Sequence, residues 1–223
     1  MNQPELYFIS GSPPCWTIML ALEVKGIAYE PRRLDNAKRE QKSPEYLKIN
    51  PRGQVPVLVD DGTTVCETLA VLSYLDARYP EPPLFGRSPV ETARIWQAIC
   101  ECDGNLRDTV GEISRPLFRG KGRDFADQIT GAAETVRGEL ALIEAGLSKT
   151  SWMAGDTLSA ADLVLYPVIM QLVRAASREA EAELELGIHP LGTHFPTIDG
   201  WCREMENLPG YENAYPPHWK QAG

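Results

Sequence analysis

The stretch Leu6-Tyr7-Phe8-Ile9-Ser10-Gly11-Ser12-Pro13-Pro14-Cys15 decides how the chain begins to fold. Leu6 to Ile9 is a short apolar run rich in aromatic and branched residues, closed by Ser10-Gly11-Ser12-Pro13, and it reads as a buried strand ending in a turn. From Cys15 to Lys25 the apolar positions Ile18, Leu20, Ala21, Leu22 and Val24 fit a mostly buried helix, which Gly26 can end in the left-handed conformation. Ile27-Ala28-Tyr29-Glu30 begins a second strand. The result is a strand-helix-strand unit of about thirty residues.

Further along, Ser43-Pro44 suits a helix start, with the hydroxyl capping free amides, and Asn50-Pro51-Arg52-Gly53 ends the short helix that follows. Val55 to Val59 reads as a strand, Asp60-Asp61-Gly62 as a hairpin turn and Thr63 to Cys66 as the returning antiparallel strand. A helix from Glu67 through Leu69, Val71, Leu72 and Leu75 reaches Tyr79, where Pro80 stops it. Proline and glycine then concentrate in Pro80-Glu81-Pro82-Pro83-Leu84-Phe85-Gly86, and beyond them the pattern is helical only, near 89–118, 124–147, 159–180 and 195–207. We therefore expect an α/β domain over 1–80, a linker over 81–88 and an all-helical domain over 89–223. Ser159 and Asp162 form a capping box, with Leu158 and Leu163 placed as its hydrophobic staple.

The chain has 223 residues, enough for two domains, and 43% of them are hydrophobic, which excludes a disordered polymer. A net charge of −9 argues against nucleic acid or an anionic membrane as partner. The densest basic cluster is Arg32, Arg33, Lys38, Arg39 and Lys42, which reads either as solvated surface or as a small-anion site. Cys15, Cys66, Cys100, Cys102 and Cys202 show neither a repeated spacing nor a zinc pattern, so a reducing, cytoplasmic setting and no metal are expected. No secretory leader and no run of membrane-spanning length is evident.

Three places carry chemistry. Ser12-x-x-Cys15 sits at a strand-to-helix turn and has the spacing of the thioredoxin redox motif with the nucleophilic cysteine replaced by a hydroxyl. Ser12 reads as a plain helix cap or as a hydrogen-bond donor to a bound sulfur, and Cys15 as a core residue or a participant. Gln54-Val55-Pro56 precedes a strand, where proline either starts the strand in trans or, in cis, turns the Val55 backbone outward to pair with an extended peptide. Glu67-Thr68 either serves the first helical turn or offers a carboxylate and a hydroxyl to a zwitterionic amino acid.

Taken together in their order, Gly11-Ser12-Pro13-Pro14-Cys15, Lys25-Gly26-Ile27, Ser43-Pro44-Glu45-Tyr46-Leu47, Asn50-Pro51, Gln54-Val55-Pro56-Val57-Leu58 and Glu67-Thr68 resemble the glutathione transferase family, as does Ser159-Ala160-Ala161-Asp162. The likeness is to the serine-type delta, theta and zeta classes. It departs from the family in Trp16, where a basic residue is common, and in Thr68, where serine is usual. The resemblance implies a thioredoxin-like N-terminal domain, a helical C-terminal domain, a homodimer and detoxifying conjugation of glutathione to a small hydrophobic electrophile held between the domains. It implies that Ser12 bonds the glutathione sulfur, that Val55 and Pro56 present the backbone to the cysteinyl unit, that Glu67 and Thr68 hold the γ-glutamyl end, and that Gln41 and Gln54 assist. Ser10, Asp103, Asn105, Arg107, Ile113 and Phe118 are weaker candidates for lining the substrate pocket. A glutathione-dependent isomerase of maleyl acids and a non-catalytic ligand-binding protein are the alternatives.

The sizes agree with this reading. A free thiol with a pKa of about 8.5 is roughly 3% ionised at neutral pH, and lowering that value by about two units requires roughly 2.7 kcal/mol. A hydrogen bond to a charged acceptor contributes about 1.5–3 kcal/mol and a helix N-terminus about 0.3–1.

Overall fold

The computed structural model describes residues 3–219. The chain divides into two compact units: the described residues of Met1–Leu84 together with those of Leu208–Gly223, and Phe85–Asn207.

In the first unit, β1 (Glu5–Phe8) buries Leu6 and Phe8 and leads through the turn into α1 (Pro13–Val24). The helix begins two residues before Cys15 because proline suits the first helical turn, where its missing amide is no loss. Gly26 ends the helical segment at φ +63°. β2 (Glu30–Arg33) starts at the end of the Ile27–Glu30 run, and all its side chains are exposed, as befits an edge strand carrying Pro31. α2 (Pro44–Leu47) is capped by Ser43, whose Oγ accepts from the Tyr46 amide at 3.2 Å. β3 (Val57–Asp60) and β4 (Thr63–Cys66) form the hairpin over Asp61 and Gly62, both at positive φ. The sheet order is β2-β1-β3-β4, with β1 parallel to β2 and antiparallel to β3, the thioredoxin-like arrangement. α3 (Thr68–Arg78) follows. Asp60 ties the sheet to this end of the chain, accepting from the Tyr74 and Tyr79 hydroxyls at 3.0 Å.

The proline-rich segment after α3 is pinned at its start. The fully buried Lys25 ammonium bonds Asp76 at 3.0 Å and the carbonyls of Tyr79 and Pro82 at 2.7 Å each. Glu81–Leu84 thus packs with the first unit, although the composition suggested a free linker over 81–88.

The C-terminal segment also departs from expectation. Beyond Leu208 the described chain joins the first unit, as α10 (Tyr211–Ala214) and a 3-10 turn at Pro217–Trp219. Trp16 of α1 is the reason. Its buried indole meets the rings of Tyr211, Tyr215 and Trp219 at centroid distances of 6.1, 5.8 and 5.2 Å.

The second unit is helical: α4 (Pro89–Glu101), α5 (Arg107–Phe118), α6 (Ala126–Leu147), α7 (Ala160–Ala176), α8 (Leu191–His194) and α9 (Pro196–Glu206). A π-helical turn at Cys102–Leu106 interrupts the stretch read as one helix over 89–118. Among the described residues, no helix is long and apolar enough to cross a membrane. The capping box forms as expected and reaches further than a cap. Buried Asp162 accepts from the Ser159 amide at 2.9 Å and hydroxyl at 3.0 Å, from the Met153 amide at 2.9 Å and from Trp201 Nε1 at 3.0 Å, so one carboxylate joins α7, the loop before it and α9. Burial pushes its pKa up against those hydrogen bonds. Asp162→Ala orphans several buried donors at about 1–3 kcal/mol each. A loss of at least about 3 kcal/mol is therefore expected, read as a fall in the urea midpoint.

Candidate functional site

The turn from β1 into α1 places Ser12 at the helix N-cap in an extended conformation, φ −77° and ψ 121°. A capping serine bonds an amide two or three residues on, yet Ser12 makes no such bond. Pro13 and Pro14 carry no amide hydrogen, so Cys15 is the first residue of the helix able to donate one. The helix start offers an anion fewer amides than the turn alone suggested, and the hydroxyl is left uncommitted as a cap.

Cys15 lies directly behind. It is buried, and burial pushes its pKa up to about 11 although the Ser12 side chain and the Ile9 backbone favour the thiolate. At neutral pH it is a protonated core thiol and so a poor nucleophile.

Gln41, Gln54, Val55, Pro56, Glu67 and Thr68 line one cavity of about 370 Å³, floored from the β1–α1 side by Ile9 and Pro14. Local rules assemble it. The Val55-Pro56 bond is cis. The Gln54 carbonyl beside it accepts from the Tyr46 hydroxyl at 2.7 Å and from Asn50 Nδ2 at 2.9 Å, which fixes this corner. Gly53, at φ +59°, lets the Gln41 segment approach: a Cβ there would lie 2.6 Å from the Gln41 carbonyl. Gln41 Nε2 bonds Asn36, and its Oε1 is buried with no protein partner among the described residues. Glu67 occupies the N-cap of α3 at φ +70° and ψ 126°, a conformation that costs about 1–3 kcal/mol and is typical of ligand-binding positions. Its side chain is exposed and makes no capping bond.

A carboxylate, a threonine hydroxyl, an amide with an orphaned end and a backbone corner thus surround one space. That donor and acceptor set fits a zwitterionic, extended peptide such as glutathione.

Ser12 lines a second, neighbouring cavity of about 650 Å³, and Ile9 borders both. Its other walls are the Trp16 and Met19 side of α1, the Gly26–Tyr29 connection, β2 and the C-terminal residues Asn213, Ala214, Pro216 and Pro217. Ser10 meets His218, Oγ to Nδ1 at 3.2 Å, and a Cβ on Gly11 would lie 3.1 Å from the His218 ring. His218 and its segment escaped the sequence reading. The only signal was Trp16, noted as a departure without a use.

The remaining candidates belong to the second unit. Arg107 pairs with Asp103 one turn back at 2.7 Å, Ile113 is fully buried core, and Phe118 carries the guanidinium groups of Arg174 and Arg178 at 5.4 Å from its ring centre. Asn105 lines a separate cavity of that unit. Among the described residues there is no group of three or more His, Cys, Asp or Glu arranged to hold a metal.

Comparison with known proteins converges on one family. Residues 6–83 match the glutathione S-transferase N-terminal domain and residues 126–203 the C-terminal domain. Glutathione S-transferase A of Pleuronectes platessa is 27% identical over 219 residues, covering 96% of this chain and 91% of that one. A maleylacetoacetate isomerase of Pseudomonas aeruginosa is 31% identical over 168 residues, covering 73% and 78%. A solved glutathione S-transferase from the Antarctic clam Laternula elliptica superposes with a TM-score of 0.84 at 29% identity, covering 99% of this chain and 95% of that one. With the family's domains matched in order and a thioredoxin-like sheet beneath the Ser12 turn, the chain belongs to the glutathione S-transferase family.

Proposed function

We propose that this glutathione transferase activates the thiol of glutathione with the Ser12 hydroxyl, and that Glu67, Thr68, Gln41, Gln54, Val55 and Pro56 hold the tripeptide. The place of Ser12 carries the reading: its hydroxyl makes no capping bond at the start of α1, it already meets a sulfur in the Cys15 side chain, and only Ile9 separates it from the cavity of Glu67, Thr68 and Val55. When bound, glutathione supplies the thiolate that attacks an electrophilic small molecule. Ser12 donates a hydrogen bond that favours the charged sulfur, Glu67 receives the γ-glutamyl ammonium and Thr68 its carboxylate, and the Val55 backbone pairs with the cysteinyl unit. Orientation accounts for the rest of the rate. No metal is required. A cytoplasmic homodimer is proposed on family membership alone.

A second reading is a glutathione-dependent cis-trans isomerase of maleyl acids, supported by the likeness to maleylacetoacetate isomerase. Incubation with a maleyl acid and glutathione decides it: an absorbance change supports isomerisation, and none, alongside conjugation of a halogenated aromatic, refutes it.

Ser12→Ala is expected to raise the pKa of the bound thiol by about one to two units, from the roughly 1.5–3 kcal/mol of one charged hydrogen bond. Turnover near neutral pH then falls about ten- to a hundredfold, and the deficit shrinks as pH rises because solvent ionises the thiol unaided. Ultraviolet titration of the bound thiolate measures this, and an unchanged pKa refutes thiol activation by Ser12. Cys15, with its pKa pushed up to about 11, should resist iodoacetamide at pH 7.5 while exposed Cys100 reacts, as peptide mass mapping will show. Glu67→Ala should weaken retention on immobilised glutathione and reduce the rise in Tm that free glutathione produces; equal affinity refutes the γ-glutamyl assignment.

A further inference from the structure

We infer that His218 is a positioning residue for thiol activation: with Trp219 it covers the Ile9–Ser12 turn and holds it in the conformation that presents the Ser12 hydroxyl. The role deepens the Ser12 reading and rests on it. His218 touches the turn at Ser10 and Gly11, so it acts through their backbone.

By itself the turn is weakly held. The Ser12 amide donates to the Ile9 carbonyl at 3.2 Å, which closes a four-residue turn with Ser10 and Gly11 at its centre. Gly11 stands at φ +82°, the left-handed geometry that a type II turn needs at its third residue. One turn hydrogen bond is a modest constraint, and glycine has more conformational freedom to recover than any other residue. Ser12 follows directly, so a rotation about Gly11 moves its hydroxyl. Both central residues are met by the C-terminal segment. Ser10 Oγ and His218 Nδ1 are hydrogen-bonded at 3.2 Å. The imidazole also lies over Gly11, where a Cβ would come within 3.1 Å of its Cε1 and Nε2 and 3.2 Å of Trp219 Cζ2. Glycine is therefore required twice, for its φ and for the approach of these rings.

The segment that delivers His218 is fastened along the length of α1. At the far end of the helix, Glu23 accepts from Asn213 Nδ2 at 3.0 Å and lies so close to Gly210 that a Cβ there would collide with it. Nearer the turn, Tyr211, Tyr215 and Trp219 recur every four residues and close on the Trp16 indole. Trp219 ends that ladder, and its ring meets the His218 imidazole at a centroid distance of 5.7 Å. Buried aromatic surface thus anchors the segment at Trp16, four residues beyond Ser12, and His218 carries that anchorage onto the turn. The leverage is large, because misplacing a reacting group by about 1 Å can cost roughly a hundredfold in rate.

The test reads the turn and the thiol separately, on the full chain. Deuterium exchange at the Ser12 amide follows the turn without any ligand, and ultraviolet titration of bound glutathione follows the thiolate. His218 is exposed, and truncating it leaves the aromatic anchors in place. In His218→Ala the Ser12 amide should exchange about tenfold faster, and the pKa of the bound thiol should rise by about half a unit to one unit while glutathione affinity stays within about twofold. Ser10→Ala should reproduce both changes, and the double variant should go no further than either single one, because the two side chains form one interaction. His218→Asn should recover most of both. It keeps a polar atom near the place of Nδ1 and carries no charge, which separates the hydrogen bond from the field of an imidazolium. Unchanged exchange in both His218→Ala and Ser10→Ala, or additive changes in the double variant, overturns the proposal. So does a thiolate pKa that shifts in Ser12→Ala and not in His218→Ala. A thiolate pKa unmoved in Ser12→Ala sinks the thiol-activation reading instead, and exchange at the Ser12 amide, which uses no glutathione, then decides whether His218 holds the turn.

Discussion

Two consecutive prolines after Ser12 constrain everything built on the β1–α1 turn. They preset the backbone for a helix and remove the first two helical amides, so that Cys15 carries the first one a serine at the N-cap could accept from. The fold is served, because α1 starts where β1 can hand the chain over with Gly11 at φ +82°. The hydroxyl makes no capping bond and instead meets the side chain of Cys15, a cysteine too deeply buried to ionise at neutral pH. A redox spacing has in effect become a hydrogen-bonding one. With Cys15 protonated, the proposed sulfur chemistry uses a thiol from outside the chain, met at the Ser12 oxygen.

Much of the first unit was legible because its signals are local. Apolar runs of strand length, a hairpin turn with two positive-φ positions, serine before proline and proline after a helix are all decided within a few residues of themselves. The cavity proposed to hold glutathione was legible for a related reason. Gln54, Val55 and Pro56 enter β3, Glu67 and Thr68 leave β4, and those strands are hydrogen-bonded neighbours beside β1. Once the sheet is right, residues at strand ends must meet at one edge. What residue types could not give was conformation at single positions, such as the positive φ of Glu67.

The C-terminal segment was illegible for the opposite reason. Its assignment to the helical domain followed from sequence adjacency, but its position depends on rings nearly two hundred residues apart, Trp16 against Tyr211, Tyr215 and Trp219. Periodicity cannot see such pairings, and short elements like α10 and the Pro217–Trp219 turn carry little pattern of their own. Burying large aromatic surface on both sides supplies the drive, since each such side chain removes much apolar area from water. The proline-rich boundary misled in a milder way. Proline does mark the change of unit, but Lys25 reaches the Tyr79 and Pro82 carbonyls and makes the first half of that segment part of the folded α/β unit.

The place of the C-terminal segment has a consequence for reactivity. The β1–α1 turn is held on one side by α1 and on the other by the returning C-terminal segment, through the contact of His218 with Ser10 and Gly11. A turn fixed on both sides can border two cavities without collapsing into either. Ile9 is the partition. Bringing two molecules together from dilute solution carries an entropic cost that a rigid pair of adjoining sites removes in advance. Thiol activation by one hydroxyl supplies only a few kcal/mol. The larger part of any rate acceleration then depends on how firmly the partition and its hydroxyl stay in place, to which the packing of Trp16 against Tyr211, Tyr215 and Trp219 contributes.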